Sequence, residues 1–287
     1  MAVYPVTLSQ TGFVHRDQLT YPFNERGLQF GDGIYEVIRI YEGKPYLLQE
    51  HMNRLFRSAA AIRLELPFSI QEITNQLTEL LERNNMVSDG IIYMQATRGS
   101  APRAHAFPGD VPANAYAYVQ DLPRNIDKLS TGVTTMTERD TRWEHCYIKS
   151  LNLLPNVLAK QAAQENGHYE AIFEQNGRVT ENSSSTIYLV KNHTIYTHPA
   201  TNRILHGCIR MRVEAFAAEA DIPFVQQAFV IDDIPDADEM FLSSTTSEIM
   251  PVVAVNGICI ADSKPGTITR KLQYAYEQDA GIPHVNM

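Results

Sequence analysis

The sequence predicts an α+β fold in two domains, and three observations carry that prediction. The chain has 287 residues, more than one small core uses. Stretches with apolar residues at helical spacing alternate with short apolar runs at strand spacing in both halves. A polar, proline-bearing segment, Gln120-Asp121-Leu122-Pro123-Arg124-Asn125, interrupts the pattern. Such composition joins domains rather than filling a core. The domains are therefore expected at 1–120 and 126–287, with a linker at 121–125.

In order along the chain, residues 47 to 60 place Leu48, Met52, Leu55, Phe56 and Ala59 on one helical face, with Asn53, Arg54 and Arg57 on the same helix. Ser69 followed by Glu72 forms a capping-box pattern, and Ile70, Ile73, Leu77, Leu80 and Leu81 make the buried stripe of the helix it opens. Strands are expected at Ile91 to Thr97 and Ala115 to Val119. Beyond the linker, Val133 to Glu138 and Tyr147 to Leu151 read as strands, and Pro155 to Glu165 as a helix ending near Gly167. Asn176-Gly177 and Asn256-Gly257, each between apolar runs, read as hairpin turns. Helices are expected at Ile209 to Ala220 and Thr267 to Tyr276.

Composition narrows the function. With 44% hydrophobic and 20% charged residues the chain is an ordinary globular protein, so disorder is not expected. A net charge of −9 repels phosphate backbones, and no basic block offers an exception, so nucleic acid is not an expected partner. The N-terminus has no basic start followed by an apolar stretch, and no run is long enough to span a bilayer. Cys146, Cys208 and Cys259 are odd in number and widely spaced, which reads as free thiols in a reducing cytoplasm. Metal catalysis is not expected, because the histidines are scattered with no HExxH pattern.

Several segments carry candidate chemistry. In a strand, Tyr147, Lys149 and Leu151 would share one face. Partial burial lowers an amine's pKa, and a lysine so tuned can form a Schiff base with an aldehyde. Val179-Thr180-Glu181-Asn182-Ser183-Ser184-Ser185 supplies a carboxylate and a hydroxyl-rich turn suited to an oxyanion. Ser243-Ser244-Thr245-Thr246-Ser247 follows an apolar strand, and Leu205-His206-Gly207-Cys208-Ile209 leads into a helix whose N-terminus suits phosphate. Arg54 offers a charge-assisted contact to the same group. In an extended loop Arg103 and His105 would point to one side and grip one carboxylate. Each feature alone is ordinary: a lone lysine most often snorkels at the surface, and a hydroxyl-rich loop is most often solvated.

Together they are not ordinary. ERGLQFGDGIYEVIR (25–39), EHMNRL (50–55), TRGSAPRAHAFP (97–108), IKSLNLLPNVLAKQ (148–161), EAIFEQNGRVTENSSSTIYLV (170–190), ILHGCIR (204–210) and FLSSTTSEIMPV (241–252) stand in matching order and spacing. On these segments the chain resembles the D-amino-acid aminotransferases, pyridoxal 5'-phosphate (PLP) enzymes of the branched-chain-aminotransferase-like class, or fold type IV. The lysine and glutamate segments are shared by that wider class. The PRAH stretch points to the D-amino-acid branch.

The resemblance implies a small N-terminal α/β domain, a larger C-terminal pseudo-barrel domain and PLP in the cleft between them. It implies ping-pong transamination between a D-amino acid such as D-alanine and a 2-oxo acid such as 2-oxoglutarate, through pyridoxamine phosphate. Lys149 resembles the Schiff-base lysine and proton shuttle, and Glu181 the partner of the pyridine nitrogen. Arg54, the backbone of Cys208 and Ile209, and Thr245 resemble the phosphate ligands, with Ser244 close by and Leu205 packed against the ring. Tyr35, Arg103 and His105 resemble the trap for the substrate α-carboxylate. Arg103 and His105 would come from the neighbouring subunit, which implies a homodimer. The chain departs from the family at Cys208 and Ile209, where isoleucine then threonine is expected, so one hydroxyl contact to the phosphate is lost. An L-branched-chain aminotransferase or an aminodeoxychorismate lyase on the same fold is the alternative.

Overall fold

The computed structural model describes residues 3–284. The chain divides into two compact units. The first takes the described residues up to Arg124 together with Ile148–Asn152, and the second takes Asn125–Tyr147 and the residues from Leu153 onward.

In the first unit the elements are β1 (Val6–Ser9), β2 (Gly12–His15), α1 (Arg26–Phe30), β3 (Gly33–Tyr41), β4 (Lys44–Tyr46), α2 (Leu48–Ala61), α3 (Ile70–Arg83), β5 (Gly90–Thr97) and β6 (Asn114–Asp121). Its described strands form a six-stranded sheet in the order β2-β1-β6-β5-β3-β4, every neighbouring pair antiparallel. Period-two alternation sends Ile34 and Ile38 of β3 and Ile92 and Met94 of β5 into one face. There they meet Met52 and Leu55 of α2 and Ile73 and Leu77 of α3, all fully buried. α3 opens on the complete capping box: Glu72 N–H donates to Ser69 Oγ, and Ser69 N–H donates to Glu72 Oε2. The other face of the sheet carries a row of tyrosines, with Tyr35 stacked on Tyr93 at 6.0 Å and Tyr93 on Tyr118 at 5.2 Å between centroids.

The second unit holds α4 (Ile126–Thr131), β7 (Val133–Arg139), α5 (Leu154–Glu165), β8 (Glu170–Gln175), β9 (Arg178–Asn182), β10 (Thr186–Lys191), β11 (Thr194–Thr197), α6 (Cys208–Glu219), β12 (Phe224–Gln226), β13 (Glu239–Ser244), β14 (Glu248–Val255), β15 (Ile258–Cys259) and α7 (Thr267–Ala280). Its described strands run β12-β11-β10-β13-β14-β7-β8-β9, with β15 beside β14. The sheet curls: β9, at the end of that path, turns straight into β10, with Asn182 N–H donating to Ser185 O at 2.8 Å. Ile172, Val179, Ile187, Leu242 and Met250 fill the core. Both Asn-Gly hairpins form, with positive φ at each residue (Asn176 53°, Gly177 77°; Asn256 51°, Gly257 77°).

One element differs from the sequence reading. Residues 147–151 make a single bridge, Ser150 to Ile34, instead of a full strand. The alternation survives, since Ile148 and Ser150 are buried while Lys149 and Leu151 are half-buried. Among the described residues, no helix is long and apolar enough to cross a membrane.

Candidate functional site

The candidate residues fall into one group in each unit. In the first, β3 is the platform. Tyr35 N–H donates to Lys149 O and Leu151 N–H to Gly33 O, both at 3.0 Å, so the segment bearing Lys149 is strapped along β3. Lys149 N–H in turn donates to Ser58 Oγ of α2 at 3.2 Å. With its backbone fixed on both sides, the lysine extends its amine to Tyr35: Nζ donates to Oη at 3.3 Å and lies 4.3 Å from the ring centroid.

One residue after Tyr35, Glu36 points to the opposite face and is fully buried. Arg54 grips it through two parallel bonds, Nε to Oε1 and Nη2 to Oε2, each 2.8 Å. His51 Nδ1 lies 2.7 Å from Oε2. Burial would raise the carboxyl's pKa, but Arg54, helped by His51, outweighs it and holds Glu36 at about 2. Sequence reasoning singled out Arg54 and missed Glu36 and His51. The signal was present: an acidic residue inside the apolar run IYEVIRI needs a buried cation, and His51 and Arg54 share a helical face.

Arg103 and His105 are exposed, and their loop bends at 102–103 and 105–106 where an extended segment was expected. Their side chains still converge on Phe30 of α1. The Arg103 guanidinium lies 4.9 Å from that ring's centroid, and the His105 ring meets it edge-on at 5.7 Å.

In the second unit Glu181 sits on β9 and is buried. Leu205 N–H donates to both of its oxygens, at 3.2 and 3.1 Å, and Arg142 Nη1 donates to Oε1. Arg142 is itself held by Asp140, through Nε at 3.0 Å and Nη2 at 2.8 Å, and Thr180 Oγ1 donates to the same carboxylate at 2.8 Å. Burial pushes the Glu181 carboxyl above the usual carboxylate range, against the pull of Arg142 and of the Leu205 N–H. Nothing in the polar stretch around Arg142 marked it in the sequence; its partner lies 39 residues away.

Leu205 leads directly into α6, which starts at Cys208 behind Gly207 and has no side-chain cap at its N-terminus. Cys208 and Ile209 are buried in its first turn. Ser244 closes β13, and its hydroxyl accepts from Ser247 N–H at 3.0 Å, so the half-buried Thr245 sits within a tight turn. The serine turn departs from the sequence reading: the hydroxyls of Ser184 and Ser185 donate to the fully buried carboxylate of Glu170 and are not open to a ligand's oxyanion. Among the described residues, no cluster of three or more His, Cys, Asp or Glu side chains is arranged to hold a metal ion.

These groups supply an amine beside a hydroxyl, a buried carboxylate held by an arginine and a backbone N–H, and a helix start with no side-chain cap. Comparison with known proteins places the chain in a family. The model of amino-transferase class IV matches residues 33–255. The chain is 43% identical over 267 residues to a D-alanine aminotransferase of Staphylococcus epidermidis, covering 93% of this chain and 94% of that one. It is 42% identical over 264 residues to a D-alanine aminotransferase of Bacillus licheniformis, covering 92% and 93%. Its fold matches that of the Escherichia coli branched-chain amino acid aminotransferase with a TM-score of 0.90, at 23% identity over 96% of this chain and 94% of that one.

Proposed function

This chain belongs to the class IV aminotransferases, and on that premise we propose that it moves the amino group of a D-amino acid, D-alanine foremost, to a 2-oxo acid such as 2-oxoglutarate, using PLP. The contact between the Lys149 amine and the Tyr35 hydroxyl carries the reading, because it fixes an amine where a base and a carbonyl-capturing group are needed. The choice of D-amino acids leans on the relatives.

The residues present suit PLP. Glu181 is a carboxylate that burial makes costly to ionise even with Arg142 beside it, so a protonated ring nitrogen next to it would add stabilising charge. The start of α6 offers backbone N–H groups and a positive dipole end to a phosphate. Cys208 and Ile209 contribute through their backbone, since neither side chain carries a hydroxyl. Thr245 adds a hydroxyl, Ser244 shapes its turn, and Arg54 adds positive charge. When bound, PLP supplies an aldehyde for the amine and a protonated ring that accepts the electron pair left behind by the α-proton.

The chain's own residues do the rest. Lys149 would hold the cofactor through its amine, take the proton from the substrate α-carbon, and deliver it to the carbon that had carried the cofactor's aldehyde. Tyr35 keeps Nζ oriented during that short transfer. Arg142 and the Leu205 N–H hold Glu181 in one orientation, while the Leu205 side chain packs against the ring. Arg103 and His105, with Tyr35, hold the substrate α-carboxylate, and the side from which they hold it sets the handedness. They reach the site of the neighbouring subunit in a homodimer, and the enzyme works in the cytoplasm.

A coupled assay with PLP and 2-oxoglutarate, offering D-alanine and L-alanine in parallel, tests the reading. Pyruvate from D-alanine alone is expected. Pyruvate from L-alanine, or from neither substrate with the protein still yellow, overturns the D-specific reading in favour of the branched-chain or lyase alternative.

A further inference from the structure

The loop presenting Arg103 and His105 is held from below by α1. Arg26, 3% exposed, donates from Nη1 to the carbonyl of Ala104 at 2.7 Å, the peptide oxygen lying between the two residues. Its Nε donates to Asp32 Oδ2 at 2.8 Å. Asp32 is brought back towards Arg26 by Gly31, which ends α1 at φ +64°, and also accepts from Arg98 Nε at 2.9 and 3.0 Å. Arg98 is fixed in turn by the carbonyls of Ile62 and Arg63 and lies 3.7 Å from the ring centroid of Phe107, at the far end of the same loop. Phe30 completes the arrangement: Arg26 lies 4.7 Å and Arg103 4.9 Å from its ring centroid, with the His105 ring against its edge.

We propose that Arg26 and Phe30 are positioning residues for substrate recognition: Arg26 fixes the Ala104 peptide, and Phe30 fixes the directions of the Arg103 and His105 side chains. This rests on the reading that Arg103 and His105 hold the substrate carboxylate. An exposed loop carrying an arginine and a histidine gains little from surface charge pairing, and its side chains lose affinity to rotamer freedom unless something orders them. A buried guanidinium on the intervening peptide and an aromatic platform under both side chains provide that order. Arg26 touches neither substrate nor cofactor in this scheme. It acts only through the loop.

The test is a double-mutant cycle in the holoenzyme, with Arg26→Lys, Phe30→Leu and Arg103→Ala made singly and Arg26→Lys and Phe30→Leu each combined with Arg103→Ala. Arg26→Lys keeps a charge beside Asp32 but shortens the reach to Ala104. Phe30→Leu is the milder partner should the first variant fold poorly. Each is expected to raise KM for D-alanine about tenfold with kcat within about twofold of the parent and the absorbance of bound PLP retained. In the Arg103→Ala background the further rise is expected to shrink to the part that acts through His105. Unchanged KM in both variants overturns the proposal, and so does an equal fold-loss with and without Arg103, since the effect then owes nothing to the positioning of Arg103. If Arg103→Ala itself leaves KM unchanged, the carboxylate reading fails and the positioning role falls with it.

Discussion

Arg54 and Glu36 meet through two parallel hydrogen bonds of 2.8 Å, each side chain almost wholly shut off from solvent. The pair joins the middle of β3 to α2, and the carboxylate lies on the face opposite Tyr35. The residue read from sequence as a ligand for phosphate is thus also half of a buried ion pair. A cation already committed to a carboxylate has less conformational freedom to lose on meeting an anion.

The pair has a pH signature. Glu36 is held at about 2 in the folded chain against an ordinary 4.5, so the folded state takes up its proton less readily than the unfolded state. Its contribution is whole above the ordinary value and drains away as pH falls through the window down to about 2. Glu36→Gln should lower stability near neutral pH by on the order of 3 kcal/mol and flatten that part of the acid limb. Urea midpoints of both proteins across the window check this; parallel acid limbs would refute it.

Lys149→Ala should reduce transamination by about three orders of magnitude or more. The fold should be unaffected, because the bonds that strap the segment down use the Lys149 carbonyl and N–H, not its amine. Steady-state turnover and a thermal melt measured together separate the two effects. Turnover near the parent's would remove Lys149 from the mechanism.

Arg142→Met should leave Asp140 and Glu181 facing each other without their shared cation. Removing one partner of a buried pair costs about 3–5 kcal/mol. The same change should push the Glu181 carboxyl further up, since Arg142 is the larger of the two groups that oppose burial there. Chemical denaturation reads the first effect. A loss under about 1 kcal/mol would show that the carboxylates are less buried or less coupled than described.

Ser69→Ala should cost about 1 kcal/mol by removing the side chain that accepts from Glu72 N–H at the start of α3. Activity should not change, because α3 carries no candidate residue. A denaturation curve and the D-alanine assay on one preparation suffice to check both.

What could be read from the sequence was what is decided locally. The Ser69 and Glu72 box, the stripe Ile73-Leu77-Leu80-Leu81 and the two Asn-Gly turns each depend on residues a few positions apart, and all appear as expected. The resemblance brought out Lys149 and Glu181 by their segments. Their supporting partners lie far off in sequence: Tyr35 is 114 residues from Lys149, and Arg142 is 39 from Glu181. Ser184 and Ser185 misled for a related reason. A serine run reads as open hydroxyls until the carboxylate that takes them, Glu170, is brought beside it by the pairing of β8 with β9.

The strap Ile148–Asn152 bears on how the protein is made. The first unit's long segment ends at Arg124, yet β3 receives its partner only from residues that follow the opening strand and helix of the second unit. Vectorial synthesis therefore cannot complete one unit before the next has begun. A chain stopped at Arg124 would carry the first half of β3 with bare backbone groups on one side, an edge of the kind that invites pairing with other chains. The same five residues that bring Lys149 to Tyr35 shield that edge, so the proposed catalytic amine and protection from mispairing arrive in one folding event.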